Sequence, residues 1–114
     1  MSVLILEDQL MIGYALRDTL QSLGFETVGP YGNLEAAFTA LHSERVKFAL
    51  LDVNLGAGKT SEPFAEKLLE LSIPFVFVTG YGSAAPLAEK FRDFELFRKP
   101  VRPEDLLNAI GTIN

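Results

Sequence analysis

The sequence contains no cysteine and only one histidine, His42, among its 114 residues. Disulfide bonds, thiolate metal sites and cysteine nucleophiles are therefore excluded. A single histidine leaves no histidine-rich metal site and little scope for histidine-dependent catalysis. His42 falls on the polar side of a predicted helix, so we expect it to face solvent.

Basic residues and long apolar runs are also scarce. Lysine and arginine number 10 against 15 acidic residues, which gives a net charge of -5. A negative chain is poorly suited to bind nucleic acid or anionic membranes. No run approaches the roughly 20 apolar residues of a membrane span, and residues 1–8 lack the features of a signal peptide. We therefore expect a soluble, cytoplasmic protein.

One packed domain, residues 1–114, is expected to account for the whole chain. Hydrophobic residues make up 48% of the sequence and charged residues 22%, which is the balance of a globular protein. A second domain would need on the order of 50 residues, which cannot be spared here. No output domain is therefore expected within these residues.

Short apolar runs alternate with segments of helical periodicity along the chain. Strands are predicted at residues 3–6, 26–29, 48–51, 75–78 and 95–98. Helices are predicted over residues 9–23, after the cap residues Asn33 and Ser61, weakly over 84–91, and from Pro103 onward. Residues 56–58 are predicted to be loop. The core is predicted to include Phe38, Phe64, Phe75 and Phe77.

Five βα units in strict alternation predict a parallel sheet with helices on both faces, a doubly wound α/β fold. Crossover connections in such sheets are right-handed almost without exception. The carboxyl ends of all strands therefore meet at one edge, where open α/β sheets bind their ligands.

Polar residues follow four of the five predicted strands at that edge. Glu7 and Asp8 follow the first strand, Asp52 the third, Thr79 the fourth and Lys99 the fifth. Each signal is weak by itself, since an acid after a strand is usually a turn or capping residue. The joint pattern is much less expected by chance, because it always selects the same end of the strand.

These residue types together indicate phosphoryl chemistry. Three clustered carboxylates repel one another unless a cation is present, and a hard divalent cation such as Mg²⁺ prefers oxygen ligands. An ammonium and a hydroxyl supply charge and hydrogen bonds to the oxygens of a transferring phosphoryl group. Asp52 is the best candidate nucleophile, because it follows an apolar strand and precedes a glycine-bearing loop that leaves its approach open.

The chain resembles response regulator receiver domains, which are CheY-like, over its whole length and in its order of βα units. Four motifs carry the resemblance: Leu6-Glu7-Asp8, Leu50-Leu51-Asp52-Val53-Asn54-Leu55, Phe77-Val78-Thr79-Gly80 and Lys99-Pro100. The resemblance implies a flavodoxin-like (βα)5 fold whose five-stranded sheet has the strand order 2-1-3-4-5.

The resemblance also implies the role of each acidic residue. Asp52 would be the phospho-acceptor and, with Asp8, a direct ligand of Mg²⁺. Glu7 would act on the metal mainly through water, and Asn54 would supply its backbone carbonyl.

Thr79 and Lys99 would bind the phosphoryl oxygens. Gly80 would leave room for the phosphoryl group to approach, and Tyr81 would either shape access to Asp52 or pack on its own loop.

A narrower resemblance involves residues 74–81, which read Pro74-Phe75-Val76-Phe77-Val78-Thr79-Gly80-Tyr81. This segment is similar to the signature of the FATGUY receivers of alphaproteobacteria, with Val78 in place of the signature alanine. Kinases of the HWE type often serve those receivers. The switch aromatic that ordinary receivers carry three positions before the lysine is replaced here by Leu96, and the neighbouring Phe97 points to the other face of its strand.

The resemblance implies a component of a two-component or phosphorelay system. A phosphohistidine on a sensor histidine kinase or a phosphotransfer protein would donate to Asp52, and the receiver would slowly hydrolyse its own acyl phosphate. The signal would leave by contact with an unidentified downstream protein, with the helix over 84–91 as the bistable element. A weak homodimer is compatible with this sequence, which does not fix the oligomeric state.

Several rival functions share parts of this pattern. A pseudo-receiver would bind partners without phosphorylation, although the complete acidic set disfavours it. A small phosphohydrolase of the haloacid dehalogenase type would need an acid/base carboxylate where Asn54 stands. A P-loop before Lys59-Thr60 lacks a required glycine at Val53. A dinucleotide fingerprint over 80–85 would need an acid about 20 residues further on, where Glu104 and Asp105 fall inside a predicted helix. A flavin-binding loop after the first strand is disfavoured because Glu7 and Asp8 would repel the phosphate.

Overall fold

The fold was analysed in a computed structural model, which describes residues 2–80, 91, 96–99 and 101–111. In chain order, the elements are β1 (Ser2–Leu6), α1 (Leu10–Ser22), β2 (Glu26–Tyr31), α2 (Leu34–Ser43), β3 (Val46–Asp52), β4 (Asn54–Gly56), β5 (Lys59–Thr60), α3 (Glu62–Glu70), β6 (Phe75–Thr79), β7 (Leu96–Arg98) and α4 (Pro103–Gly111). No helix in these ranges is long and apolar enough to cross a membrane.

The main sheet has five strands in the order β2-β1-β3-β6-β7, and every neighbouring pair is parallel. With the short β4–β5 pair set aside, this is the predicted order 2-1-3-4-5, and the prediction is confirmed. The chain winds outward from β1 to β2 on one side and through β3 to β7 on the other. The strand order therefore reverses between β1 and β3, and the carboxyl ends of these two strands flank a crevice suited to a ligand.

Side chains of β1 alternate between two hydrophobic cores, one on each face of the sheet. Leu4 and Leu6 belong to the core that also contains residues of α2 and α3. Val3 and Ile5 belong to the core that also contains residues of α1 and α4. Since a strand reverses its side chains at every residue, a run that is apolar throughout must be covered on both faces. The predicted doubly wound architecture is confirmed.

The aromatic residues fill the core beneath α2 and α3. Phe64 and Phe77 are fully buried and Phe75 nearly so, as predicted, whereas Phe38 is only partly buried at the rim of this core. Its ring contacts that of Phe64 edge-on, with centroids 5.2 Å apart. Of the helix predicted over 84–91, only Phe91 lies within the described residues, and its ring packs edge-on against Phe77 at 5.7 Å.

The segment predicted as a loop at residues 56–58 is the end of a short hairpin, in which Ala57 and Gly58 form the turn and Gly56 ends β4. β4 and β5 pair antiparallel, with Asn54 opposite Thr60 and Gly56 opposite Lys59. The turn places Ala57 at φ 52° and Gly58 at φ 76°, the left-handed region that glycine adopts most easily. The turn agrees with the predicted loop, but the short strands β4 and β5 on either side of it were not predicted, because strands this short have no apolar alternation to detect.

The two predicted helix caps differ in their chemistry. Asn33 caps α2, and its Oδ1 accepts a hydrogen bond of 2.8 Å from the backbone N–H of Ala36. Ser61 occupies the equivalent position of α3, but its side chain makes no capping hydrogen bond. Its hydroxyl is buried and has no hydrogen-bond partner in the described part of the chain.

We expect Ser61→Ala to raise the free energy of unfolding by about 1 kcal/mol, because it removes a buried hydroxyl that gains no hydrogen bond on folding. Asn33→Ala should lower the same quantity by about 1 kcal/mol, because it removes a working cap. Urea denaturation measures both. Equal losses in the two variants would contradict the difference between the caps.

Candidate functional site

The carboxyl ends of four strands bring the predicted site residues together. Lys99 directly follows β7, and its backbone N–H donates a 2.9 Å hydrogen bond to the Thr79 carbonyl at the end of β6. In the same way, the N–H of Val53, just after β3, donates to the carbonyl of Val78 at 2.9 Å. These hydrogen bonds at the ends of the parallel strands thus fix the backbone positions of Asp52, Thr79 and Lys99 relative to one another.

Three carboxylates form a cluster at this edge. Each of Glu7, Asp8 and Asp52 offers an oxygen, and these atoms all lie within 4.8 Å of one another. Glu7 is 1% exposed and Asp52 is 5% exposed, while Asp8 is the most accessible of the three. Such an arrangement of oxygen donors suits a hard divalent cation such as Mg²⁺.

Lys99 supplies a cation to this cluster. Its Nζ lies 2.5 Å from Oε1 of Glu7 and 3.3 Å from Oδ1 of Asp52. The other oxygen of Glu7, Oε2, accepts a 3.0 Å hydrogen bond from the backbone N–H of Gln9. Glu7 is therefore held between the lysine and the start of α1, and its buried charge is paired.

Burial controls the protonation of Asp52. Loss of solvent, followed by the neighbouring carboxylate of Glu7, raises the pKa of Asp52 from 3.8 to about 8, against the opposing pull of Lys99. For Lys99, burial lowers the pKa of the ammonium, but Glu7 and Asp52 together raise it by more, so the pKa lies above its usual value. A second cation near Asp52 would favour its ionised form.

An open cleft of about 400 Å³ leads to Asp52. Its walls come from the strand ends, the start of α1 and the hairpin, and are formed by Asp8, Gln9, Ile12, Asp52, Asn54, Gly56, Thr79, Gly80 and Lys99. Glu7 belongs to the acidic cluster but does not line the cleft. Tyr81 lies outside the described residues.

Solved structures of similar sequence cover nearly the whole chain. The solution structure of SdrG from Sphingomonas melonis Fr1 is 35% identical, with a TM-score of 0.83, and the match covers 98% of this chain and 94% of that one. The BeF3-activated conformation of SdrG from Pseudomonas melonis Fr1 is also 35% identical over the same shares, with a TM-score of 0.81.

A third similar structure is itself a signal receiver domain, that of a modulated diguanylate cyclase from Desulfovibrio desulfuricans G20. It is 30% identical to this chain, with a TM-score of 0.84. The match covers 98% of this chain and 91% of that one. The chain belongs to the response regulator receiver domains. No protein-family model matches this receiver domain, and no curated protein matches it.

Membership of this family makes the chain a signalling module. Leu96 of the receiver domain packs against the core beneath α2 and α3, whereas Phe97 packs against the opposite core. The two side chains therefore point to opposite faces of the sheet, as their alternation in β7 predicted.

Sequence reasoning did not find three residues that line the cleft. Gln9 and Ile12 enter it because the first turn of α1 starts directly after the acidic pair, and Gly56 enters it from the hairpin. The first two could have been found from the short link between β1 and α1. Nothing in the sequence placed Gly56 beside Asp8.

Proposed function

We propose that this receiver domain accepts a phosphoryl group on Asp52 from a phosphohistidine, with Mg²⁺, and signals through protein contacts. The single observation that supports this most strongly is the position of Asp52. It is a buried carboxylate at the base of an open cleft, flanked by two acids and by an ammonium 3.3 Å away.

In the proposed transfer, an oxygen of Asp52 attacks phosphorus. One O–P bond forms, the N–P bond of the phosphohistidine breaks, and the imidazole nitrogen keeps the bonding electron pair. The attacking carboxylate must be ionised, but burial, together with the neighbouring carboxylate of Glu7, raises its pKa to about 8. The reaction therefore needs positive charge beside Asp52 in addition to Lys99.

The residues present fit Mg²⁺, because they offer hard oxygen donors around a cluster that carries excess negative charge. Asp8 and Asp52 would hold the metal directly, with the backbone carbonyl of Asn54, while Glu7 would act mainly through water. When bound, Mg²⁺ would neutralise charge on the acceptor and on the phosphoryl oxygens.

Lys99 and Thr79 would bind the phosphoryl oxygens after transfer. Lys99 lies nearer to Glu7 than to Asp52, so it can shift toward a new negative charge on Asp52 while keeping its backbone bond to Thr79. Phosphorylation adds about -1.5 to -2 of charge at pH 7. Gly80 lines the cleft without a side chain, which leaves room for the phosphoryl group.

The donor in this proposal is a sensor histidine kinase, of the HWE type if residues 74–81 mark a FATGUY receiver, or a histidine phosphotransfer protein. In this proposal the transfer takes place in the cytoplasm, and residues 1–114 would act as one receiver domain toward the donor. The similarity to SdrG, whose BeF3-activated conformation has been solved, makes the same treatment an apt test for this chain.

We expect BeF3⁻ together with Mg²⁺ to shift the amide resonances of Thr79 and Lys99, because BeF3⁻ on Asp52 would imitate the phosphoryl group. Two-dimensional NMR of labelled protein measures this effect. The control is the Asp52→Asn variant under the same conditions, which should show no such shifts. Identical spectra for the wild type with and without BeF3⁻ would instead indicate a pseudo-receiver.

A further inference from the structure

The β4–β5 hairpin is attached to the strand that ends in the proposed phospho-acceptor. Only Val53 separates Asp52 from β4. The backbone N–H of Ser61 donates a 3.3 Å hydrogen bond to the carbonyl of Val53, which closes the base of the hairpin. The hairpin is therefore a short, fixed projection beside the acidic cluster.

Gly56 is the point at which this hairpin approaches the cluster. It lies at φ +85°, and a Cβ placed on it would be 3.3 Å from Oδ2 of Asp8. That distance is shorter than an ordinary van der Waals contact between a methyl carbon and an oxygen, so the carboxylate or the hairpin would have to move. Gly58 has a similar backbone conformation, φ +76°, but a Cβ there would have no heavy atom within 4 Å.

The same short strand carries Asn54, whose backbone carbonyl is a proposed metal ligand. The side chain Oδ1 of Asn54 accepts a 3.1 Å hydrogen bond from the backbone N–H of Gly56. This bond ties the position of Gly56 to that of Asn54. Gly56 is thus hydrogen-bonded to the side chain of Asn54 and lies close to the carboxylate of Asp8, and both of these residues are proposed to hold the metal.

We propose that Gly56 is a positioning residue that sets the spacing between the Asp8 carboxylate and the Asn54 carbonyl, and that this spacing selects Mg²⁺ over Ca²⁺. The inference rests on the proposed function, since it assumes that these two groups hold the metal. Mg²⁺ demands near-ideal octahedral geometry at about 2.0–2.1 Å, whereas Ca²⁺ accepts varied geometry at about 2.3–2.6 Å. A displacement of a ligand by a few tenths of an ångström therefore weakens the binding of Mg²⁺ more than the binding of Ca²⁺.

The test compares Gly56→Ala with Gly58→Ala, which places the same methyl group at a similar positive φ in the same hairpin. We expect Gly56→Ala to raise the Kd for Mg²⁺ about tenfold, the scale typical of groups that orient metal ligands, and to raise the Kd for Ca²⁺ by a smaller factor. Gly58→Ala should leave the ratio of the two Kd values unchanged. Titration calorimetry measures both ions, and thermal unfolding reports the backbone strain common to both variants.

The outcomes separate this inference from the proposed function. Absence of Mg²⁺ binding in the wild type, or full binding in Asp8→Asn, would overturn the metal site itself. Normal binding in the wild type with equal ratios in the two glycine variants would overturn only the role of Gly56.

If Gly56→Ala does not fold, Asn54→Ala replaces it, because it removes the hydrogen bond that fixes Gly56. If the ratio of the Kd values for Mg²⁺ and Ca²⁺ is unchanged in Asn54→Ala, the inference is overturned. A reduced preference for Mg²⁺ in that variant would support it.

Discussion

An Asp52→Asn variant is expected to take up no phosphoryl group and yet to fold more stably than the wild type in metal-free buffer. The loss of phosphorylation follows because the amide oxygen is a poor nucleophile and Asp52 is the acid at the base of the cleft. Phosphoramidate, which donates from a P–N bond as a phosphohistidine does, replaces the unidentified kinase in this test. Intact-mass spectrometry of the protein measures the uptake.

The gain in stability follows from the raised pKa of Asp52, about 8 in the folded chain against an ordinary 3.8. The folded state then binds the proton more tightly than the unfolded state, so the stability of the wild type falls as the pH rises from about 4 to about 8. Asparagine cannot ionise and escapes this loss. Lys99 keeps its partner Glu7 in the variant.

We expect the advantage of Asp52→Asn to be absent near pH 4 and to grow steadily toward pH 7, with a slope of at most about 1.4 kcal/mol per pH unit. Urea denaturation across this range measures it. The control is Asp18→Asn, which removes the same charge from an exposed site on α1. An advantage that grows toward low pH, or that is equal in the control, would refute the burial argument.

Replacement of Lys99 by methionine is expected to cost about 3 kcal/mol of unfolding free energy in metal-free buffer. The change leaves the carboxylate of Glu7, which is 1% exposed, without its ammonium 2.5 Å away. Removal of one partner from a buried ion pair is strongly destabilising because the remaining charge stays desolvated. Urea denaturation near neutral pH measures the loss.

A double-mutant cycle isolates the buried charge. Glu7→Gln in the Lys99→Met background should restore most of the lost stability, with a coupling energy of about 2 kcal/mol. The matched control is Lys67→Met on the surface of α3, where the ammonium lies 3.5 Å from Glu70 and both side chains are largely exposed. That change should cost less than about 1 kcal/mol. Equal losses of unfolding free energy in Lys67→Met and Lys99→Met would show that the buried ion pair contributes no more to stability than the exposed one.

The fold could be predicted because the apolar pattern of each strand indicates how that strand must be packed. A run such as residues 75–78 is apolar at every position, and this is possible only for a strand covered on both faces. Right-handed crossovers then bring all strand ends to one edge. The neighbours of Asp52 were predicted for this reason, although they are far from it in the chain.

The details of packing could not be predicted from the sequence, because each depends on contacts with residues distant in the chain. Phe38 lies on α2 and packs against the core but is only partly buried, whereas Ala37 and Ala40 of the same helix are buried in that core. Gly56 approaches Asp8 only because the hairpin folds back from β3, and no local pattern indicated that hairpin. Lys99 was predicted beside Asp52, but its Nζ lies nearer to Glu7.

The sequence by itself determined which chemical groups reach the functional edge of the sheet, since strand order and handedness permit one arrangement. Only the tertiary structure decided the distances between those groups and their protonation. Separations of a few ångströms depend on strand register and on the hairpin. The raised pKa of Asp52 depends on water being excluded by the assembled sheet and helices, a condition that no segment of the chain creates alone.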